Sequence, residues 1–316
     1  MPLDIRAVQQ ALKADGLDAW LLYDFHGSNP VSFRLTGMAE SGHLATRRWF
    51  YLIPQAGEPR ALVHAIERYN LDHLPGSKIV YAGHTQLQAG LRALLEGQRR
   101  VAMEYSPNCA IPYVSRVDAG TIELVRALGV DVVSSGDLIQ QFEARWNDAQ
   151  LATHRAASEK LYRIKDQAYA EVTRRLRAGI PTTEYDIQQQ MVGWFKDEGL
   201  VADSAPCVSA QENAGNPHYL ASAASHRAIN PNELVLLDLW GKLATPGAVY
   251  ADITWMGFTG ATVPDKFARA FAAIAAARDA AVTTVQSGAA AGRDVRGFEA
   301  DAAARKVLIE IGRAHV

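Results

Sequence analysis

LVLLDLWG (residues 234–241) and VYADIT (residues 249–254) are two apolar, strand-like segments, each interrupted by one aspartate. Side chains alternate between the two faces of a strand, so Asp238 shares a face with Trp240. Asp252 likewise shares a face with the residues two positions before and after it. If the two segments pair as a hairpin, both carboxylates can point to the same face of the sheet.

A carboxylate inside an apolar strand is unfavourable unless it is paired, hydrogen-bonded or bound to a cation. Two hard oxygen ligands on one sheet face suit a divalent ion, or a pair of ions of the two-metal kind. Asp238 and Asp252 are therefore candidate metal ligands. The structural alternative is that each aspartate caps a turn or pairs with an arginine, since two aspartates alone define no motif.

A histidine lies upstream of these strands in the segment NAGNPHY (residues 213–219). His218 stands in a loop rich in Gly, Asn and Pro and precedes an aromatic residue, which makes it a candidate acid, base or oxyanion donor near neutral pH. The alternative is an ordinary, partly exposed loop histidine. His226 and His315 are weaker candidates of the same kind.

Length and composition restrict the possible classes of protein. The chain has 316 residues, which suits two domains, and its 48% hydrophobic and 21% charged residues are typical of a globular protein. A net charge of -2 provides no basic field to hold nucleic acid. We find no segment that could span a bilayer and no signal peptide in the first residues, MPLDIR. With Cys109 and Cys207 far apart, we expect a reduced cytoplasmic protein.

The spacing of apolar residues predicts an α/β domain in the first half, with a boundary near residues 140–150. In the second half we expect a long helix ending at Gly179, a helix capped by Thr182 or Thr183, and two closing helices at about 264–285 and from about 294. The β-like runs of the first half are predicted at residues 19–23, 49–53, 61–63, 78–81, 100–103 and 130–133.

The order and spacing of these segments resemble the pita-bread metallopeptidases, which include methionine and Xaa-Pro aminopeptidases, prolidases and creatine amidinohydrolases. The match rests on the apolar strand with Asp238 followed by Gly241, on YADIT (residues 250–254), and on the His218–Tyr219 step. Residues 1–145 resemble the N-terminal α/β domain of Xaa-Pro aminopeptidases, prolidases and creatinases, including RLTG at residues 34–37.

The resemblance implies an α/β creatinase-like N-terminal domain over residues 1–145 and an incomplete α+β pita-bread catalytic domain over residues 146–316. It implies a cytoplasmic dinuclear hydrolase that releases the N-terminal residue from peptides with proline in second position. Asp238 and Asp252 would bind two divalent ions (Mn, Co or Zn), and His218 would hydrogen-bond the substrate carbonyl or the tetrahedral intermediate. The implied partners are a peptide substrate and a second copy of the chain in a homodimer.

The sequence departs from the family pattern in two respects. Trp255 stands where family members usually carry an arginine, and the family's remaining ligands, a histidine and two glutamates, have no counterpart in this chain. Two other functions stay open: creatine-type amidine hydrolysis without metal, and a non-catalytic pita-bread module that binds peptides or histones. The presence of both aspartates disfavours each of them.

The last seven residues, EIGRAHV (residues 310–316), match the translation of a common short-read sequencing adapter. We therefore expect that residues 310–316 derive from adapter sequence and that the chain is a fragment of a longer metallopeptidase, inactive as it stands. The alternative is a natural helix that ends at Gly312.

Overall fold

A computed structural model describes residues 3–42 and 44–312 of the chain. Contacts divide the chain into two compact units, Met1–Asn147 (unit 1) and Asp148–Val316 (unit 2). His315 and most of the adapter-like segment 310–316 lie outside the described residues. Within the described ranges, every helix is too short or too polar to cross a lipid bilayer.

Unit 1 is built on a six-stranded sheet with strand order β4-β3-β2-β1-β5-β6. Strand β2 is antiparallel to both of its neighbours, and all the other strands run parallel to one another. Each strand lies within one residue of its predicted position. The strands are β1 (Ala19–Asp24), β2 (Trp49–Pro54), β3 (Arg60–His64), β4 (Ser77–Tyr81), β5 (Arg100–Met103) and β6 (Asp131–Ser134).

Helices cover both faces of this sheet, and each face has its own apolar core. The central strand β1 is buried along its whole length, so Trp20 and Leu22 enter one core while Leu21 and Tyr23 enter the other. The helices are α1 (Ile5–Ala14), α2 (Pro30–Leu35), α3 (Met38–Ser41), α4 (His84–Leu94), α5 (Ala119–Arg126) and α6 (Gly136–Ile139). Short 3₁₀ turns occur at Ala65–Glu67 and Pro107–Cys109, and one π turn at Gln140–Ala144.

A buried carboxylate, Glu104, ties together the segments around β1 and β5. Its Oε1 accepts hydrogen bonds from Trp20 Nε1 (2.8 Å) and Ser135 Oγ (3.1 Å), and its Oε2 from Asn29 Nδ2 and Ser32 Oγ (both 2.8 Å). Burial raises the pKa of Glu104, and these four hydrogen bonds oppose that rise. The four donors satisfy the buried Glu104 carboxylate. Removing the carboxylate would leave four buried donor groups without this acceptor.

Unit 2 combines long helices with a small antiparallel sheet in which β9 pairs with β10, β8 and β7. The carboxyl half of β9 contacts β7 and its amino half contacts β8. The elements are α7 (Asp148–Arg177), α8 (Glu184–Asp197), β7 (Leu200–Val201), β8 (Cys207–Ala210), a 3₁₀ turn (Gln211–Gly215), β9 (Leu234–Leu243), β10 (Ala251–Phe258), α9 (Asp265–Ala290) and α10 (Gly297–Glu310).

The core of unit 2 lies between the sheet and helices α7 and α8. Strand β9 alternates strictly, with Val235, Leu237 and Leu239 fully buried and the intervening residues half-buried. The helices contribute apolar residues at spacings of three and four, including Leu161 and Ile164 of α7. One face of the sheet is therefore covered by the helices, and the opposite face carries the polar residues of β9 and β10.

Several boundaries in unit 2 differ from the predicted ones. Thr183, not Thr182, caps α8, because its hydroxyl and the Asp186 carboxylate form a reciprocal capping box. Strand β10 begins at Ala251 rather than at residue 249, and α10 begins at Gly297 rather than near Asp294. Strands β7 and β8 were not predicted, since two and four residues are too few to show a periodicity.

Replacing Glu104 with alanine is expected to lower the free energy of unfolding of unit 1 by about 3–5 kcal/mol, because four buried donors lose their acceptor. Urea denaturation of the full chain measures this. The exposed Glu96, replaced in the same way, serves as control and should change stability by less than about 0.5 kcal/mol. Equal losses for the two variants would contradict the structural role of Glu104.

Candidate functional site

The register of the β9–β10 hairpin places the two predicted ligands on one face of the sheet. Thr254 lies directly opposite Asp238, and Asp252 lies directly opposite Trp240. Asp238 and Asp252 are therefore diagonal neighbours, a relation that separates Cα atoms by roughly 7–8 Å. The sequence-based expectation that both carboxylates can share one face agrees with this register, although they are not directly opposed.

Asp238 is held by its neighbours on both sides. Thr254 Oγ1 donates a hydrogen bond to Asp238 Oδ1 at 2.7 Å, which fixes the carboxylate on the strand face. On the other side, Cys207 of β8 lies directly opposite Asp238. Burial, and after it the charge of Asp238, raises the pKa of the Cys207 thiol. The thiol is thus kept protonated beside the carboxylate.

Asp252 stands on the edge strand and is exposed. Partial desolvation on the strand face, and after it the negative charge of Asp238, raises the pKa of Asp252. The two carboxylates are therefore close enough to repel each other. A cation between or above them would relieve this repulsion, whereas the Thr254 hydroxyl that donates to Asp238 is neutral and supplies no compensating charge.

Trp255, which replaces the usual family arginine, points to the opposite face from both aspartates. It lies opposite Leu237, and the Lys165 ammonium of α7 sits 4.2 Å from the centre of its ring. Tyr162 packs edge-on against the same ring. Trp255 therefore packs β10 against α7. It lies on the opposite side from the sheet face that carries Asp238 and Asp252, which we call the carboxylate face.

Gly241 follows Asp238 by three residues and lies within β9. A side-chain carbon at this position would stand 3.0 Å from Cε1 of Phe195, tighter than ordinary packing. The glycine therefore lets α8 approach the strand closely. Trp240, its neighbour, donates from Nε1 to Asp203 Oδ1 at 2.6 Å.

A cleft of about 230 Å³ opens beside Asp238. Its floor is formed by residues of β8, β9 and β10, and its wall by the loop that follows β8. Asp238, Thr254 and Cys207 contribute polar groups to the floor, and Tyr219 stands on the wall. The remaining lining residues are Ser209, Ala214, Gly215, Asn216, Pro217 and Leu236.

Glu184, a residue that the sequence analysis did not single out, holds the loop that forms this wall. It is fully buried at the start of α8, and its carboxylate accepts hydrogen bonds from the backbone N–H groups of Ala210 and Arg227 at 2.7 and 2.9 Å. It also accepts from the side chains of Asn213 (2.9 Å) and Tyr219 (2.5 Å). One carboxylate therefore fixes both ends of the loop and its only tyrosine.

His218 lies on this loop between two residues of the cleft wall. Pro217 and Tyr219 line the cleft, whereas His218 itself is exposed and is not among the lining residues. Its backbone N–H donates to Asn216 Oδ1 at 3.1 Å. His226, the weaker candidate, stacks on Tyr185 at 5.8 Å between ring centres, and its Nδ1 lies 2.8 Å from the Ser222 carbonyl oxygen.

The donors on the carboxylate face fit a divalent cation in kind, because carboxylate oxygens are hard ligands. They fit it incompletely in number. Among residues 3–42 and 44–312, no group of three or more His, Cys, Asp or Glu side chains is placed to hold a metal ion. Asp238 and Asp252 are therefore part of a donor set, and further ligands are needed to fix two ions.

Comparison with known proteins identifies the architecture. The family model "Metallopeptidase family M24" matches residues 156–315, which covers most of unit 2. None of the curated protein sequences matches the chain.

Solved structures share the fold at low sequence identity. A dipeptidase, PepE, from Mycobacterium ulcerans is 19% identical with a TM-score of 0.63, and the match covers 98% of this chain and 76% of that one. An X-Pro aminopeptidase from Thermotoga maritima MSB8 is 16% identical with a TM-score of 0.52, covering 96% and 78%. An X-prolyl aminopeptidase from Caenorhabditis elegans, described as a cytosolic enzyme with a di-nuclear active site, is 13% identical with a TM-score of 0.60, covering 99% and 50%.

Replacing Glu184 with alanine is expected to release the cleft loop, because two backbone N–H groups and two side chains lose a buried acceptor. We expect a loss of about 2–4 kcal/mol in the free energy of unfolding, and faster amide hydrogen exchange at Ala210 and Arg227. Hydrogen exchange with mass spectrometry measures the second effect. The exposed Asp197 of the same helix, replaced by alanine, is the control, and unchanged exchange in the Glu184 variant would contradict the role assigned to Glu184.

Proposed function

The chain belongs to metallopeptidase family M24, and on that premise we propose that its carboxylate face is part of a dinuclear metal site that hydrolyses peptides with proline in second position. The observation that carries the proposal is the hairpin register, which sets Asp238 and Asp252 on one open face. The preference for proline is supported by the neighbours that share the fold, whose names include X-Pro aminopeptidase and prolidase.

In this proposal Asp238 and Asp252 bind the cations, and Thr254 orients Asp238 through its 2.7 Å hydrogen bond. When bound, divalent ions supply an acidified water and polarise the substrate carbonyl. Carboxylate oxygens can bind Mn, Co or Zn, and they do not select one of these metals over the others. With Oδ1 of Asp238 accepting from Thr254, Oδ2 would be available to hold a cation.

His218 is proposed to donate a hydrogen bond to the carbonyl oxygen of the scissile bond, or to the oxyanion that replaces it. Support comes from its place on the loop that forms the cleft wall, directly between Pro217 and Tyr219. Glu184 acts through that loop as a positioning residue, since it anchors Tyr219 beside His218.

We also propose a reduced, cytoplasmic setting and a dimeric state for the active enzyme. The two cysteines are free, which suits a reducing compartment. Size-exclusion chromatography with light scattering measures the oligomeric state of the chain directly.

The 316-residue chain is expected to bind Mn²⁺ weakly, with a dissociation constant on the order of 10⁻⁴ M or larger, because two aspartates provide few ligands. Isothermal titration calorimetry measures this. Asp238→Asn and Asp252→Asn should each abolish the binding, since an amide oxygen carries no charge to attract the ion. Asp265→Asn, an exposed aspartate at the start of α9, is the matched control. Undiminished Mn²⁺ binding by both the Asp238→Asn and the Asp252→Asn variant would contradict the metal assignment.

The same chain is expected to show little turnover of an Xaa-Pro dipeptide or tripeptide with added Mn²⁺, because a dinuclear site needs more donors than two carboxylates. Amine release measured with a ninhydrin assay tests this. Robust turnover would show that the donors present suffice. Turnover of creatine instead of peptides would favour the amidinohydrolase alternative.

In an active form of the enzyme that contains the His218 loop, His218→Ala should lower kcat by roughly 10²-fold and leave metal binding unchanged. A decrease of this size is typical of the loss of an acid, a base or an oxyanion donor. Steady-state kinetics and metal analysis separate the two readouts. His226→Ala serves as the control, since His226 stacks on Tyr185. A loss of metal in the His218 variant would show that His218 is a ligand.

A further inference from the structure

Unit 1 contains a cavity that the peptidase proposal does not use. Its volume is about 530 Å³, within the range typical of small-molecule sites. It lies at the carboxyl ends of β1, β3 and β4, where their last residues or the residues just after them form its wall. In open α/β sheets this end of the strands is where ligands generally bind.

Two arginines give the cavity its positive charge. Arg47 and Arg48 precede β2 and both line the cavity. Within the described part of the chain neither forms an ion pair, although the Glu67 carboxylate, which accepts from the Arg47 backbone N–H at 3.1 Å, lies near Arg47. Desolvation raises the pKa of Tyr81, and the charge of Glu67 adds to the rise. The charges of Arg48 and Arg47 and a side-chain hydrogen bond to Arg48 oppose it, as expected for two cations beside the ring. The Tyr81 hydroxyl donates to the Arg48 carbonyl oxygen at 2.7 Å and so fixes the backbone at Arg48.

The single carboxylate in the cavity wall does not neutralise these arginines by direct contact. Asp118 caps α5, and it accepts hydrogen bonds from Thr121 N and Thr121 Oγ1 (both 2.8 Å) and from Tyr23 Oη (3.0 Å). These three donors hold Asp118 at the start of α5, and within the described residues it forms no ion pair with Arg47 or Arg48. A guanidinium carries five N–H donors, so each arginine retains donors for an external anion.

The start of helix α4 adds uncapped backbone donors to the same wall. Gly83 is its N-cap and provides no side-chain acceptor for the N–H groups of the first turn, in contrast to Asp118 at α5. Ala82, Gly83 and His84 line the cavity. The eleven-residue helix directs the positive end of its dipole toward the same space as the arginines.

Aromatic rings form the rest of the wall. Tyr81 and His64 meet edge-on at 5.0 Å between ring centres. The His64 ring is held on both sides, since its Nδ1 accepts from Ile66 N at 3.2 Å and its Nε2 lies 3.1 Å from the Ala82 carbonyl oxygen. Phe25 also lines the cavity and is 46% exposed, so part of its ring is open to solvent. A planar apolar group could stack there.

We propose that this cavity binds a small aromatic oxyanion, a phosphate or carboxylate group attached to a planar ring, with the oxyanion held by Arg47, Arg48 and the first turn of α4 and the ring held against Phe25 and Tyr81. Paired guanidinium groups and free helix N–H groups are the donors that recognise such oxyanions. The site is separate from the carboxylate face, and the proposal does not depend on the peptidase function.

The test is calorimetric titration of the full chain at low salt with phenyl phosphate, benzoate, inorganic phosphate and neutral benzyl alcohol. We expect saturable binding of phenyl phosphate or benzoate that weakens as salt is added, and no binding of benzyl alcohol. Tighter binding of phenyl phosphate assigns the natural ligand to phosphates, and tighter binding of benzoate assigns it to carboxylates. Equal affinity for inorganic phosphate would overturn the ring contact, and no saturable binding of either ring compound would overturn the proposal.

Variants locate the site. Arg47, which is exposed, and Arg48 are each replaced by glutamine, and each substitution should weaken binding of the ring compounds by about 10-fold or more. The control Arg92→Gln, in the last turn of α4, should leave binding unchanged. Equal effects of the three substitutions would overturn the assignment.

Gly83→Asp separates binding from folding. An aspartate N-cap should hold or raise the melting temperature while placing a negative charge on the oxyanion position, so we expect binding to be lost in a chain that is at least as stable. The neutral Gly83→Asn caps the helix without the charge and should retain more of the affinity. Full binding by the Gly83→Asp variant would overturn the part assigned to α4.

Discussion

The carboxylate face depends on the register of the β9–β10 hairpin, and that register is set by burial on the other face. Val235, Leu237 and Leu239 are fully buried against α7 and α8. Burying each such side chain stabilises the fold by about 1.5–3 kcal/mol. A slip of one residue would expose all three and drive Asp238 into the apolar core, so the alternation excludes it. The position of Asp238 follows from hydrophobic packing and needs no metal.

The cleft wall depends on a different interaction, the burial of Glu184. This carboxylate lies at the first helical position after the Thr183 cap, where the helix dipole favours negative charge. Its four acceptor contacts come from residues 26 to 43 positions along the chain. The same group thus joins the start of α8 to both ends of a loop that has little apolar surface of its own. Without a buried acceptor, a segment rich in Gly, Asn and Ser would gain too little from packing to remain ordered.

The parts of the structure that sequence predicts are those fixed by local periodicity. The strands of unit 1 and the aspartates of β9 and β10 follow from apolar runs and alternation. The cap of α8 was predicted only as Thr182 or Thr183, and the reciprocal hydrogen bonds between Thr183 and Asp186 decide for Thr183. Strand β8 and the role of Glu184 were not predictable, since each depends on pairing with distant segments. The direction of the His218 ring could not be predicted either, because it is set by the loop backbone and not by any periodic pattern.

Each unit holds a pair of like charges close together, and the same physical argument applies to both pairs. Asp238 and Asp252 repel each other on the sheet face of unit 2. Arg47 and Arg48 both line the cavity of unit 1, where Glu67 offsets only part of their charge. Like charges held close lower the stability of the folded chain, so packing elsewhere must offset them. A ligand of opposite charge removes that cost, and its binding free energy adds to stability as its concentration rises above the dissociation constant. Each pair is therefore pre-organised for an ion of opposite sign, a cation in unit 2 and an oxyanion in unit 1.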